Sequence, residues 1–147
     1  MSFEFIPPEQ FFRILYKDAN FCEGMGKVML SASMLETNIR KYLKVKDVKG
    51  VRPKATLGQL VQKLNDHDLL SKNGKIHFDD LVLKRNYLAH SLYNLFTKEI
   101  NETILERDKL TAMDTDIFVR RAHQLAEDFL YFANIVSEAN ANTEKLL

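Results

Sequence analysis

The chain has 147 residues, of which 46% are hydrophobic and 28% are charged. These fractions fit one folded domain of ordinary size and argue against disorder over the whole length. The 21 Lys and Arg residues against 20 Asp and Glu give a net charge of +1, which excludes nucleic-acid binding through a strongly basic overall field.

Cys22 is the single cysteine of the sequence, so neither an internal disulfide nor a thiolate metal site can form. We expect it to be a small buried residue in a reducing compartment. The N-terminal residues do not resemble a signal peptide, and no apolar run approaches the ~18 residues of a membrane helix. These features predict a soluble cytoplasmic protein without a membrane partner.

The first two predicted helices are amphipathic. The first begins at Pro8, whose fixed φ suits a first turn, and is interrupted near Asn20 or Gly24. Its predicted core residues are Phe11, Phe12 and Leu15. The second covers about 21–44, with an apolar stripe of Val28, Ala32, Leu35, Ile39 and Tyr42. A basic loop follows over 44–54.

Thr56 is a good N-cap for the third helix, which ends near Leu70 and buries Leu57, Leu60, Val61 and Leu64. Turn chemistry over 71–75 separates it from a fourth helix over about 79–97, capped by Asp79 or Asp80. The segment 98–113 is predicted to be a loop or a short extended excursion.

The fifth predicted helix runs from Asp114 to about Ala139 and has the clearest periodicity of the chain. Its apolar stripe consists of Phe118, Ala122, Leu125, Phe129, Phe132 and Val136. The tail 140–147 is expected to be frayed. The pattern predicts one all-α domain over 1–147, a four- to five-helix bundle of long, near-antiparallel helices.

The fourth predicted helix has two distinct sides on a helical wheel. One side is the apolar stripe Leu81, Leu88, Leu92 and Leu95, and the other is the polar set Asn86, His90, Tyr93, Asn94 and Thr97. Val82, Leu83 and Tyr87 flank the polar set, which suits a partner surface or a cleft. Arg85 borders the Leu stripe, about 140° around the helix from His90, and needs an anion or carbonyl partner there.

Arg85-Asn86, three further residues and His90 on a late helix of a small bundle resemble the HEPN superfamily. Its signature is an Arg, commonly followed by a polar residue, with a His after four to six residues. The resemblance covers most of the chain in architecture, but only these few residues in motif.

The resemblance implies a metal-independent endoribonuclease that acts as a homodimer, with paired motifs forming one RNA-cleaving cleft. Arg85, His90 and Asn86 would be its catalytic residues, with Tyr93 and Asn94 supporting substrate binding and no cofactor. Such domains often serve as toxins or phage-defence effectors, with an antitoxin or regulatory protein as partner. One subgroup has a modified tyrosine two residues after the His, where this sequence has Leu92.

The residue types suit RNA cleavage. An imidazole titrates near pH ~6.5, so His90 can carry a proton to or from the reacting oxygens. The Arg85 guanidinium can stabilise charge on the phosphorane, while Asn86 orients His90 or contacts phosphate. Tyr93 could stack on a base, or serve only as an interface aromatic.

Two alternatives remain open from the sequence. The chain could be a non-catalytic HEPN-like module that docks a partner protein or nucleotide, or a plain helical adaptor. His123 and Glu127 share a helical face, but two ligands do not make a metal site. The basic residues of the 44–54 loop (Lys44, Lys46, Lys49, Arg52 and Lys54) are expected to be solvated surface, or phosphate contacts if RNA is bound.

Overall fold

The computed structural model describes residues 5–90 and 110–147, with the backbone alone at positions 88–90, 110 and 113. These ranges contain five α-helices and one small antiparallel ribbon, which confirms the all-α class. The elements are β1 (Phe5–Ile6), α1 (Pro8–Lys17), α2 (Ala19–Val45), α3 (Leu57–Asp66), α4 (Lys72–His90), β2 (Leu110–Thr111), a 3-10 turn (Ala112–Asp114) and α5 (Thr115–Glu138). No helix within the described ranges is long and apolar enough to span a membrane.

The core is built around α2 and α5, the two helices with the clearest apolar stripes. Every residue of both predicted stripes is buried. Burial of such a stripe is the main source of stability for an amphipathic helix, because helix propensity alone is weak. The periodicity therefore predicted the buried faces of α2 and α5 correctly.

The helices α2 and α5 run in the same direction, contrary to the predicted near-antiparallel packing. His123 Nε2 in the first half of α5 lies 2.9 Å from the carbonyl oxygen of Asn20 at the start of α2. Further along both helices, Asn38 Nδ2 donates to the Ala133 carbonyl oxygen at 2.8 Å. The long segment between α2 and α5 returns the chain to the end at which α2 began, which permits a parallel pair.

Helix α1 begins at Pro8 as predicted and covers one end of the core. Phe11 and Leu15 are buried, and the Phe11 ring meets Phe118 of α5 edge-on with centroids 4.7 Å apart. Phe12 was wrongly predicted to face the core, because 38% of its surface is exposed. The ribbon pairs Phe5 with Thr111 and so ties the segment before α1 to the segment before α5.

The junction of α1 and α2 lies at Asp18, which precedes the predicted interruption at Asn20 or Gly24. Asp18 has an extended conformation, and its Oδ1 accepts a hydrogen bond from Phe21 N at 2.8 Å. This N-cap satisfies a backbone donor at the start of α2. Cys22 is exposed rather than buried, since it follows this cap on the outer side of α2, with Sγ 3.4 Å from the Tyr16 carbonyl oxygen.

Helix α3 has the predicted start but an earlier end. The Thr56 side chain accepts from Gln59 N at 3.3 Å, while Gln59 Oε1 accepts from Thr56 N at 3.0 Å, a reciprocal capping box. The helix ends at Asp66 rather than near Leu70, because Asp68 adopts a left-handed conformation with φ of 52°. Leu69 then folds back, and its N–H donates to the Leu64 carbonyl oxygen at 2.8 Å.

Helix α4 starts at Lys72, so the predicted turn over 71–75 and the predicted caps Asp79 and Asp80 are wrong. The hydroxyl of Ser71 accepts from Gly74 N at 2.9 Å and caps the helix instead. Gly74 lies within the first turn, where a Cβ would collide with the carbonyl oxygen of Leu146. A close tertiary approach, and not a turn, accounts for this glycine.

The C-terminal tail is docked against the domain and not frayed. Leu146 is 1% exposed, its N–H donates to the Leu69 carbonyl oxygen at 2.8 Å, and its own carbonyl accepts from Ser71 N at 3.2 Å. The Tyr42 hydroxyl donates to the Thr143 carbonyl oxygen at 2.9 Å. An apolar side chain and paired backbone groups therefore hold the tail across the α3–α4 connection.

Candidate functional site

The predicted site begins on the inner side of α4, where Arg85 faces α2. Its Nε lies 3.5 Å from Oε1 of Glu36, and the side chains of Arg85 and Glu36 are 35% and 17% exposed. Phe78 and Leu81 of the same helix are buried in the core. The ion pair thus lies at the edge of the apolar interface between α2 and α4.

Glu36 is the kind of partner that the sequence predicts for Arg85. A guanidinium at the border of an apolar stripe needs a compensating anion or acceptor, and Glu36 supplies a carboxylate. Sequence reasoning did not identify Glu36, which stands beside Leu35 at the edge of the α2 stripe. The position of a carboxylate at the edge of an apolar stripe is a sequence feature that could have identified Glu36 as a candidate partner. Its pairing with Arg85 of α4, however, depends on the tertiary fold.

The outer side of α4 is open. Asn86 is exposed, as expected for a residue of the polar set. Ile76 and Leu83 are also exposed, at 65% and 46%. Ile76 and Leu83 are seven residues apart, so they lie on one face of the helix. The exposed side of α4 therefore combines apolar side chains with Asn86, the described member of the predicted polar set.

The side chains of the remaining predicted site residues lie outside what the structure describes. His90 is the last described residue of α4, with its backbone alone described. Tyr93 and Asn94 belong to the segment 91–109, as do Leu92, Leu95 and Thr97 of the predicted wheel. The separation of Arg85 from His90 thus stays a sequence prediction of about 140° around one helix.

Arg85 is suited to anion recognition in this position. A guanidinium has five N–H donors, and the contact with Glu36 uses the Nε side. The Nη side presents the paired donors that bind carboxylate or phosphate bidentately. Because about a third of the side chain is exposed, an anion can approach the guanidinium from solvent.

The described residues contain no cluster of three or more His, Cys, Asp or Glu side chains that could hold a metal ion. His123 Nε2 is instead 2.9 Å from the Asn20 carbonyl oxygen, a contact that joins α5 to the start of α2. Glu127 lies one turn after His123 on the wall of an apolar groove between these helices.

The basic loop divides between two sides of the molecule. Lys46 turns toward the tail, where its Nζ donates to the Ala141 carbonyl oxygen at 3.0 Å. Lys44, Lys49 and Arg52 line a cavity on the other side, together with Arg40 of α2. Arg40 was missed by sequence reasoning because it belongs to a helix, and the fold alone brings it to the loop.

Comparison with known proteins adds no assignment to this geometry. No protein family, curated protein or solved structure matches the chain.

Proposed function

We propose that the chain is a metal-independent endoribonuclease of the HEPN type, acting as a toxin or phage-defence effector. The supporting observation is the ion pair of Arg85, with Nε 3.5 Å from Oε1 of Glu36 and the side chain 35% exposed. It belongs to an Arg-Asn-x3-His sequence on a helix packed in an all-α bundle. A positioned and accessible guanidinium is what phosphoryl chemistry requires.

The proposed reaction is transesterification within RNA. The 2′-oxygen attacks phosphorus and loses its proton, and the bond from phosphorus to the 5′-oxygen breaks as that oxygen gains a proton. The products are a 2′,3′-cyclic phosphate and a 5′-hydroxyl. His90 transfers protons in this scheme, because an unperturbed imidazole changes charge near neutral pH.

Arg85 stabilises the charge that develops on the non-bridging oxygens of phosphorus, through paired N–H donors. Glu36 restricts the guanidinium to one orientation, which reduces the reorganisation needed in the transition state. Asn86 follows Arg85 on the exposed side and offers an amide to phosphate or to His90.

A homodimer would gather residues that one helix holds apart. The sequence predicts that Arg85 and His90 are about 140° apart around one helix, so a second copy of α4 would be needed to bring the two residue types together. The exposed Ile76 and Leu83 on the outer face of α4 suit contact with another apolar surface. To form one cleft from two motifs, such a symmetric dimer would have to place the exposed edge of the Arg85 side chain of one copy beside His90 of the other.

The second candidate is a non-catalytic HEPN-like module that binds a partner protein or nucleotide. The Arg85–Glu36 ion pair favours it, because a guanidinium neutralised by a carboxylate can be purely structural. In that case Arg85 would hold α4 on α2, and the outer face of α4 would be the docking surface.

The deciding experiment incubates the purified protein with mixed single-stranded RNA in EDTA. Arg85→Ala and His90→Ala variants are compared with Lys75→Ala and His77→Ala, which remove an exposed cation and an exposed histidine from the same helix. Helicity and oligomeric state are checked for each variant by circular dichroism and light scattering.

We expect the wild type and both control variants to produce 2′,3′-cyclic phosphate ends. Loss of Arg85 or His90 should reduce cleavage by about 10²-fold or more. Absence of cleavage by the wild type, or equal cleavage by all five proteins, would reject the ribonuclease and favour the binding module.

A further inference from the structure

Two adjoining cavities lie at the C-terminal end of α2, under the loop that leads to α3. One has a volume of ≈340 Å³ and the other of ≈320 Å³, and they share Gly50, Val51 and Arg52 as wall residues. The cationic residues of their walls are Arg40, Lys44, Lys49, Arg52 and Lys63, and the anionic ones are Asp47 and Asp66. The lining therefore has a formal charge of five positive against two negative, although the whole chain is near neutral.

Both carboxylates are already engaged by neighbouring side chains. Asp47 pairs with Lys49 at 2.7 Å, and Asp66 accepts from Gln62 at 2.8 Å. No carboxylate among the described residues pairs with the other four cations, Arg40, Lys44, Arg52 and Lys63. The cavities thus concentrate positive charge that the described part of the chain does not neutralise.

Arg40 is the most constrained of these cations. Its Nη2 donates to the Ala55 carbonyl oxygen at 2.7 Å, which fixes the guanidinium against the loop. Its Nε is buried and has no hydrogen-bond partner among the described residues. A partly buried charge without a counter-ion costs free energy, and a bound anion would offset this cost.

Gly50 brings the loop backbone close to the cation of α3. It has φ of +77°, a conformation that favours glycine, and a Cβ there would lie 3.4 Å from Lys63 Nζ. The loop therefore closes over Lys63 and places Arg52 at the boundary of the two cavities. Residues from α2, the loop and α3 form this site jointly.

The cavities also align with the proposed active site. Glu36, Arg40 and Lys44 are spaced by four residues, so they lie along one face of α2 with a rise of about 6 Å per step. Glu36 contacts Arg85, and the next two positions line the cavity. A chain of phosphates passing Arg85 can thus continue along α2 into the basic lining.

We propose that these cavities bind the backbone phosphates of single-stranded RNA that flank the cleaved linkage. This inference rests on the proposed function, because it assigns a substrate-binding subsite to the same enzyme. The site holds the strand by charge and not by base identity, so it contributes affinity without sequence preference.

The test measures binding of a fluorescein-labelled single-stranded RNA by anisotropy, in EDTA and over a KCl series. All proteins carry His90→Ala to prevent cleavage. The double variant Arg52→Ala/Lys63→Ala is compared with Lys41→Ala, an exposed lysine of α2 outside both cavities. Arg52→Glu provides a second variant with an exposed side chain if the double variant unfolds.

We expect the double variant to bind RNA at least about tenfold more weakly. The slope of the logarithm of the binding constant against the logarithm of the KCl concentration should be smaller in magnitude by about 1 to 2. Lys41→Ala should bind like the parent. Equal binding by the parent and the double variant would overturn the subsite. A different result would be that the parent does not bind RNA, while pyrophosphate raises its melting temperature only when Arg52 and Lys63 are present. In that case the ligand of the cavities would be a small phosphate compound and not RNA.

Cleavage assays on the His90-containing proteins separate this inference from the proposed function. Charge-dependent RNA binding without cleavage by the wild type would keep the RNA site and reject the ribonuclease. Cleavage by the wild type with unchanged binding by the double variant would keep the ribonuclease and reject the site.

Discussion

Glu36 of α2 and Arg85 of α4 form an ion pair across the interface of their helices, with Oε1 and Nε 3.5 Å apart. The Glu36 side chain is less exposed than the Arg85 side chain, at 17% against 35%, so the pair is more open on the side of Arg85. An ion pair of this kind can hold a helix in place or hold a guanidinium in one orientation. The two roles predict different behaviour on substitution.

If Glu36 positions Arg85 for catalysis, Glu36→Ala should lower kcat for RNA cleavage by about tenfold while KM changes little. Glu36→Gln keeps an acceptor near Nε and should recover much of the loss. The double variant Glu36→Ala/Arg85→Ala should be no slower than Arg85→Ala, because Glu36 acts through that guanidinium. Steady-state kinetics checks all three, and additive losses in the double variant would contradict the positioning role.

Gly74 and Gly26 are helical glycines in opposite surroundings. A Cβ at Gly74 would collide with the Leu146 carbonyl oxygen, whereas a Cβ at Gly26 would meet nothing within 4 Å. Gly26→Ala should therefore stabilise the protein by about 0.5–1 kcal/mol through helix propensity. Gly74→Ala should destabilise it by about 1–2 kcal/mol, because the backbone of the tail must move.

Urea unfolding followed by circular dichroism measures both glycine variants against the wild type. An equal gain of stability in the two variants would show that the tail does not lie against the first turn of α4.

Gly74 also shows how far the sequence could predict this fold. The stripes of α2 and α5 were predictable because the periodicity of one helix is a local property. The start of α4 was not, since Ser71 to Gly74 resembles a turn until Leu146, from the other end of the chain, explains the glycine. The parallel direction of α2 and α5 depends on the path between them, which no local pattern encodes.

The candidate site was predictable to a similar degree. The position of Arg85 at the edge of an apolar stripe predicted the kind of partner it needs, and Glu36 is such a partner. The identity of that partner required the packing of α2 against α4. Arg40 and Lys63 could not be assigned to the basic loop from sequence, because they belong to two different helices.

Leu146 and Leu147 test the docking of the tail with a matched pair of leucines. Leu146 is 1% exposed and Leu147 is 41% exposed. Leu146→Ala should destabilise the protein by about 2–4 kcal/mol through lost burial and a residual cavity. Leu147→Ala should change the free energy of unfolding by less than about 0.5 kcal/mol. Equal free energies of unfolding for the two variants would mean that the tail is frayed.

Tyr42 should make the stability of the tail contact depend on alkaline pH. Burial raises the pKa of Tyr42 above its ordinary value of 10.0. The folded protein therefore keeps the phenolic proton at a pH where the unfolded chain loses it. The contribution of the neutral Tyr42 phenol to the free energy of unfolding is therefore complete below pH 10.0, and it is lost as pH rises through the pKa of the folded state.

Tyr42→Phe removes both this proton and the hydrogen bond to the Thr143 carbonyl oxygen, and should cost about 1 kcal/mol near neutral pH. The difference between the wild type and this variant should shrink above pH 10.0, when urea unfolding is measured over a pH series. Tyr131→Phe is the control, because Tyr131 is 60% exposed and should follow the wild type throughout. Parallel pH curves for the wild type and Tyr42→Phe would show that the Tyr42 phenol does not control the alkaline loss of stability.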